Sequence, residues 1–438
     1  MFPSSTDEAI ESSTSHEPER LRSDTRNAPS PIRTVLVCGA SVRSLAESLL
    51  STGYTPLCID FFGDSDLRQL LERSGGQYLG AMKSFRELPE RIADVPADVP
   101  LVWGGGLENE PDILEQIAVQ RRICGVSPDF VRRVRTPQTL DELFQGTALL
   151  RPRRISRGEV QLSRGGGCWL RKPCRSGGGL GIEFWDCAHA GREIEDGTYL
   201  EEYIEGLPCS VVAYGDGQGH ATLIGASLLL SGLTELGATG FQFCGNLGPV
   251  ELSGAMHLEV SNAVKTLASR TYFGGIVGLD LVASPMGVFL LEVNPRVTAS
   301  HWLYELDLPG RLVSLQVAEG ALGAGCPAGP AGVSDARIAR VGAQLIVWSR
   351  QAQEVPDLMP VQLSGGLRFA DVPEPGALVE SGTPLCSLLA TGASAAQLID
   401  ILLENPSALH KVGIDVVALQ AVLRQRLELA ASLGVRIL

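Results

Sequence analysis

Basic charge is what this sequence most lacks. Lys and Arg total 36 against 50 Asp and Glu, and the formal net charge of −14 leaves no broad basic face for nucleic acid or an anionic membrane. Any phosphate site must therefore be local. Long apolar runs are missing too: nothing approaches the roughly 18 uninterrupted apolar residues of a membrane span, and the N-terminus carries no apolar run of the kind a secretory signal needs. The ten cysteines include no CxxC pair and the six histidines fall in no ligand spacing, which argues against disulfides and a zinc site. Buried thiols in a reducing cytoplasm are the expectation. One glycine, not GxGxxG, follows the first strand-like run, so a nicotinamide site is not expected either.

What remains is a chain of 438 residues, 44% hydrophobic and 20% charged, long enough for about three domains with a sizeable core. Residues 1–32, rich in Ser, Thr, Glu, Arg and Pro, read as a disordered tail. Between residues 33 and 130, apolar runs (Thr34 to Cys38, Thr55 to Asp60, Leu101 to Trp103) alternate with helical patterns, as in βα units around a parallel sheet. The turns Gly39-Ala40-Ser41 and Gly104-Gly105-Gly106 then mark that sheet's carboxyl edge, where a ligand sits in such folds. A second domain is expected over 131–320, a small β-rich subdomain over 334–392, and helices over 393–438, with Ala321 to Val333 as the linker.

The basic stretch from Val131 to Pro152 reads as helical. Its Arg135 is either a solvated helix charge or part of a phosphate site. Lys172 ends a strand and is followed by Ser176 and Gly177, Gly178, Gly179 and Gly181. These four glycines in five positions let successive backbone N–H groups wrap an anion, while the nearby Gly165-Gly166-Gly167 reads as a plain surface loop. Because the lysine precedes the glycines, this is not the Walker pattern. The strand through Glu201, Glu202, Tyr203, Ile204 and Glu205 breaks at Gly206, a hinge whose carboxylates are either surface charges or nucleotide contacts. Ser231 to Val250 reads as a glycine-rich loop that floors or covers a pocket.

The stretch Gly278 to Arg296 is the chemical centre. A turn around Pro285 and Gly287 joins two strands and brings Asp280 towards Glu292, twelve residues later, while Glu292, Asn294 and Arg296 alternate onto one face. Two carboxylates and an amide oxygen suit Mg²⁺ when phosphates complete the octahedron, and an arginine can then face the phosphate. The plain alternative is a half-buried hairpin with a solvated face. Downstream, His301 is a candidate general base or a structural histidine beside Trp302.

In this order, the strand Leu170-Arg171-Lys172 with SGGGLG, the hinge EEYIEG, and the pair GLDLV and LLEVNPR resemble the ATP-grasp superfamily over residues 33 to 390. The spacing of the acidic set is most similar to the biotin carboxylase and carboxylate–amine ligase branches. The segments GASVRSLAESLLSTGYTPLCIDFFGDSDL and DVPEPGALVESGTPLCSLLATG look like ATP-grasp proteins of tetrahydromethanopterin-linked one-carbon metabolism, akin to the tyramine–glutamate ligase of methanofuran synthesis.

The resemblance implies an α/β and α+β fold: a Rossmann-like βα domain before a two-lobed ATP-grasp domain, then a small β-rich subdomain. It implies ATP under SGGGLG, with Lys172 on the phosphates, backbone of Tyr203 and Ile204 with Glu201 at adenine, and Glu205 at ribose. Asp280, Glu292 and Asn294 would hold Mg²⁺ (or Mn²⁺), and Arg296 would stabilise the transferred phosphoryl group. Many relatives carry a second lysine before the glycine loop; here none stands between Lys83 and Lys172, and Arg135 is the candidate replacement. The implied reaction joins a small-molecule carboxylate to an amine through an acyl phosphate. Its alternatives are carboxylation through carboxyphosphate and ATP binding without turnover. Neither substrate is named by the sequence, and a homodimer is the candidate self-association.

Overall fold

The computed structural model describes residues 33–155, 168–185, 193–322, 339–358 and 361–438. The tail 1–32, the glycines 165–167 and most of the 321–333 linker lie outside the described residues. Among these residues, no helix is long and apolar enough to cross a membrane.

Val35, Leu36, Val37 and Cys38 are fully buried, as a strand covered on both faces must be. They form the strand Thr34–Cys38 of a four-stranded parallel sheet, ordered Gln77–Ala81, Thr55–Asp60, Thr34–Cys38, Leu101–Trp103. Its two glycine turns lie side by side at the carboxyl edge, where Gly104 N–H donates to the Cys38 carbonyl (2.8 Å) and Ala40 N–H to that of Gly105 (2.8 Å).

A nine-stranded sheet carries most of the remaining core. Its path runs Gly287–Asn294, Gly274–Ser284, Leu207–Asp216, Ala221–Ser231, Phe243–Glu251, Val341–Trp348, Pro384–Gly392, Leu367–Ala370, with Arg436–Ile437 added beside Phe243–Glu251. The helix Gly254–Thr271, capped by Ser253, buries Val260, Val264 and Leu267. A separate antiparallel sheet, ordered Arg154–Ile155, Thr198–Glu202, Trp169–Pro173, Glu183–Trp185, forms a smaller lobe.

Two expectations change. Ser231 to Val250 is not one loop, because Phe243–Glu251 is an interior strand. Its glycines are there for close approach: Gly245 has φ +137°, and a Cβ on it would lie 1.8 Å from the Gln344 carbonyl oxygen on the neighbouring strand. The strands placed in a C-terminal β-rich subdomain also join the large sheet through Val341–Trp348, leaving only Gln353–Glu354 and Leu378–Val379 as a two-stranded sheet of their own among the described residues. The helices Ala395–Leu403, Pro406–Lys411 and Val416–Ser432 follow.

Candidate functional site

The hairpin Gly274–Ser284/Gly287–Asn294 pairs Asp280 directly with Glu292, and the ladder slips by one position just after that pair. The slip stacks the acidic groups: Asn294 Nδ2 donates to Asp280 Oδ2 (2.9 Å) and lies 3.5 Å from Glu292 Oε1. Arg296 leaves the end of the strand, donates to Asn294 Oδ1 (3.3 Å), and pairs through Nε with Glu108 Oε1 (2.8 Å). All four hairpin residues line one cavity of about 500 Å³ between the small lobe and the large sheet.

Burial, and then the neighbouring Glu292 charge, raises the Asp280 carboxyl to about 7. Burial acts on Glu292 as well, but Arg135 and Lys172 outweigh it and hold that carboxyl below the usual range. Two close carboxylates with divergent proton affinities fit a hard divalent cation whose other ligands come from a phosphate, and Asn294, which here turns Nδ2 to the carboxylates and Oδ1 to Arg296, would join them with its amide turned over. Among the described residues, no group of three or more His, Cys, Asp and Glu makes a metal site by itself.

The glycine loop faces this cluster. Gly178 and Gly179 have φ +61° and +73°, and Phe243 N–H donates to the Gly178 carbonyl (2.8 Å), fixing the loop against the large sheet. Gly177, Gly178 and Gly179 line the cavity, with Ser176, Tyr203 and Ile204. Gly181 and Glu205 are not among the lining residues. Ser176 uses its hydroxyl on the Leu180 carbonyl (2.6 Å).

Arg135 reaches the site. Its guanidinium bridges Glu292 Oε2 (3.3 Å), Asn109 Oδ1 (3.0 Å) and the Ser176 carbonyl (2.7 Å), so one planar fork spans hairpin and glycine loop. Lys172 enters from the small lobe and pairs with Glu201 Oε1 (2.5 Å); Glu201 Oε2 pairs with Arg154 (2.7 Å). Where the sequence reading gives Glu201 to adenine, the structure commits its buried carboxylate to placing Lys172. Glu202 lines the cavity but is paired with Arg153. His301 is buried and is not itself part of the lining: Nδ1 lies 2.9 Å from the Thr298 carbonyl and Nε2 3.3 Å from Ser44 Oγ. It ties the segment after the hairpin to the helix Arg43–Ser51.

Sequence reasoning missed Glu108 and Ser210. Glu108 sits just past Gly104-Gly105-Gly106, and the Gly106 N–H donates to its Oε2 (2.6 Å); a carboxylate directly after a carboxyl-edge turn was the available signal. Ser210 donates to Asp280 Oδ1 (2.8 Å) from the adjacent strand and carried no signal of its own.

Residues 143–300 match the family described as the ATP-grasp domain. A Rhizobium etli pyruvate carboxylase, solved with the allosteric activator acetyl coenzyme A, aligns at TM-score 0.65 and 16% identity over 89% of this chain. The match spans only 39% of that longer polypeptide. The biotin carboxylase domain dimer of Hydrogenobacter thermophilus 2-oxoglutarate carboxylase, solved with MgADP, ADP and bicarbonate, gives TM-score 0.63 and 12% identity over 91% of this chain and 98% of that one. A carboxyaminoimidazole ribonucleotide synthase from Aspergillus clavatus, complexed with ATP, gives 0.61 and 13% over 87% and 99%. No curated protein matches the sequence. The architecture is the ATP-grasp fold, with a parallel-sheet N-terminal part and antiparallel sheets arranged as in biotin carboxylases.

Proposed function

We propose that this protein is an ATP- and magnesium-dependent ligase that activates a carboxylate as an acyl phosphate and joins it to an amine. One observation carries the reading: the Asp280–Glu292–Asn294 cluster and the glycine loop face each other across a single cavity, with Arg135 bridging them. Asp280, Glu292 and Asn294 are the residues that would hold Mg²⁺, which supplies charge neutralisation between phosphates when bound. Lys172, held by Glu201, and Arg135 meet the phosphate oxygens. Tyr203 and Ile204 offer hinge backbone to adenine.

In the proposed reaction a substrate carboxylate oxygen bonds to the γ-phosphorus as the bond from that phosphorus to ADP breaks. The amine nitrogen then bonds to the acyl carbon. Phosphate leaves with the electron pair of the broken C–O bond, and the nitrogen's proton goes to phosphate. Arg296, oriented by Glu108, stabilises charge on the transferred group. Such catalysis is chiefly positioning and electrostatics, so it needs no Ser-His-Asp constellation.

The finer assignment is to ATP-grasp proteins of tetrahydromethanopterin-linked one-carbon metabolism. The two sequence segments behind it are in contact: Arg43 pairs with Asp371 (2.9 Å), and Ser65 N–H donates to the Val372 carbonyl (2.7 Å). The proposed setting is a reducing cytoplasm, which the cysteines support, being free thiols throughout the described residues.

Measuring ADP and phosphate release across panels of carboxylates and amines tests the ligase reading, with Asp280→Asn and Glu292→Gln as controls. Turnover that survives both substitutions overturns the metal assignment. The structural neighbours favour a second reading, carboxylation through carboxyphosphate; bicarbonate-dependent ADP formation without any amine would select it.

A further inference from the structure

Three charged side chains stand in a row on the small-lobe side of the cavity: Arg154, Glu201 and Lys172. Sheet order makes the row, because the strand Thr198–Glu202 runs between Arg154–Ile155 and Trp169–Pro173. Glu201, 1% exposed, gives one carboxylate oxygen to each neighbour, Oε2 to Arg154 Nε (2.7 Å) and Oε1 to Lys172 Nζ (2.5 Å). The two cations are held very differently. Arg154 spends its whole fork on protein, donating through Nη1 to Asp141 Oδ1 (2.7 Å) and through Nη2 to the Leu291 carbonyl (2.9 Å). Its side chain is 7% exposed and fixed at three points. Lys172 hydrogen-bonds only Glu201 among the described residues, which leaves two of its three ammonium donors for a ligand. Arginine in such a cage is immobile, whereas lysine is a point charge on a flexible stem. Glu201 thus has one permanent counterion and one movable one.

A carboxylate withdrawn from water needs a counterion, and a buried one with a single counterion holds it hard, because the attraction is weakly screened. With Arg154 in place, Glu201 stays paired when Lys172 turns away from it to a phosphate oxygen. Without Arg154, the same movement strands a buried charge. The freedom of the lysine is therefore set from a strand on which it does not stand.

We infer that Arg154 is a positioning residue for nucleotide binding: it neutralises Glu201, so that Lys172 can pass from that carboxylate to the phosphates. The inference rests on the nucleotide site of the proposed ligase and names the residue that releases its lysine. Arg154 acts through Glu201 and needs no contact with the nucleotide itself.

Isothermal titration of the full-length protein with MgADP tests this. Arg154→Gln is expected to weaken binding at least about tenfold, because Glu201 then detains Lys172. Asp141 is not stranded by the change, since it keeps Arg151 (2.8 Å). Adding Glu201→Gln to Arg154→Gln removes the detaining charge and should restore the affinity to within about threefold of wild type. Arg154→Lys, which keeps a cation beside Glu201 without the three-point fork, should also stay within about threefold. A residue that merely braces the fold gives the opposite pattern: the double variant binds no better than Arg154→Gln, and Arg154→Lys is as weak. Either of those results overturns the proposal, as does wild-type affinity in Arg154→Gln. Should Arg154→Gln fail to fold by circular dichroism, Arg154→Lys and the double variant decide. MgADP binding with this pattern but no product from any carboxylate and amine would support the inference while removing the ligase reading; a wild-type protein that does not bind MgADP would remove both.

Discussion

Glu108 holds Arg296 in the cavity wall, Oε1 to Nε at 2.8 Å, with side chains 1% and 15% exposed. The carboxylate comes from the turn after Leu101–Trp103 and the guanidinium from the end of the acidic hairpin, so this pair is one of those that join the parallel-sheet part to the large sheet. Removing one member of such a pair strands the other. Glu108→Gln is expected to lower turnover about a hundredfold, the scale of one misplaced transition-state donor, while MgADP affinity changes little. Unchanged turnover in steady-state assays would show that Arg296 does not depend on Glu108.

Arg135 should report on the nucleotide instead. Its fork spans Glu292 and the Ser176 carbonyl, a geometry that an ammonium cannot copy. Arg135→Ala is expected to weaken MgADP by at least about tenfold, and Arg135→Lys by less, as measured by calorimetry. Equal affinities in all three proteins would remove Arg135 from the phosphate site.

Gly179 tests the loop. It has φ +73°, and a Cβ there would lie 1.8 Å from the Phe241 carbonyl oxygen, a clash with backbone that side-chain motion cannot relieve. Gly179→Ala should therefore release the loop and abolish MgADP binding while the melting temperature falls only slightly. Gly53→Ala, also at positive φ but with open space around it, serves as the control for backbone strain alone. Nucleotide binding retained in Gly179→Ala, with an unshifted melting temperature, would contradict the close packing.

Asp64 predicts a pH dependence away from the site. Burial, then the charges of Asp371, Asp66 and Asp60, raises its carboxyl to about 8. A carboxyl whose folded value exceeds its unfolded one contributes stability at low pH and loses it as pH rises to the folded value. Wild-type stability should thus carry a falling component between roughly pH 4 and 8, at most about 1.4 kcal/mol per pH unit. Asp64→Asn should remove it, gaining on wild type as pH rises from 6 to 9 in denaturant titrations. A parallel pair of curves would refute the shift.

Much of this was legible because the relevant signals are local. Thr34 to Cys38, Thr55 to Asp60 and the hairpin through Asp280 and Glu292 announce themselves by apolar runs and turn residues, and the structure places them accordingly. Long-range partnership left no such mark. The pairing of Glu201 with Lys172, 29 residues apart, depends on strand register, and that of Glu108 with Arg296, 188 apart, on how two sheets meet. Phe243–Glu251 was hidden for a different reason: glycines that permit close strand approach look, in one dimension, like loop.

The glycine loop touches the large sheet through main-chain atoms, Phe243 N–H on the Gly178 carbonyl. Every residue but proline would supply the same N–H after Gln242, so the attachment is indifferent to the ring of Phe243. The side chains beside it, Phe241 and Phe243, line the cavity and can change its shape without rewriting the contact that anchors the loop. This part of the molecule can acquire a new substrate preference while keeping its glycine loop anchored.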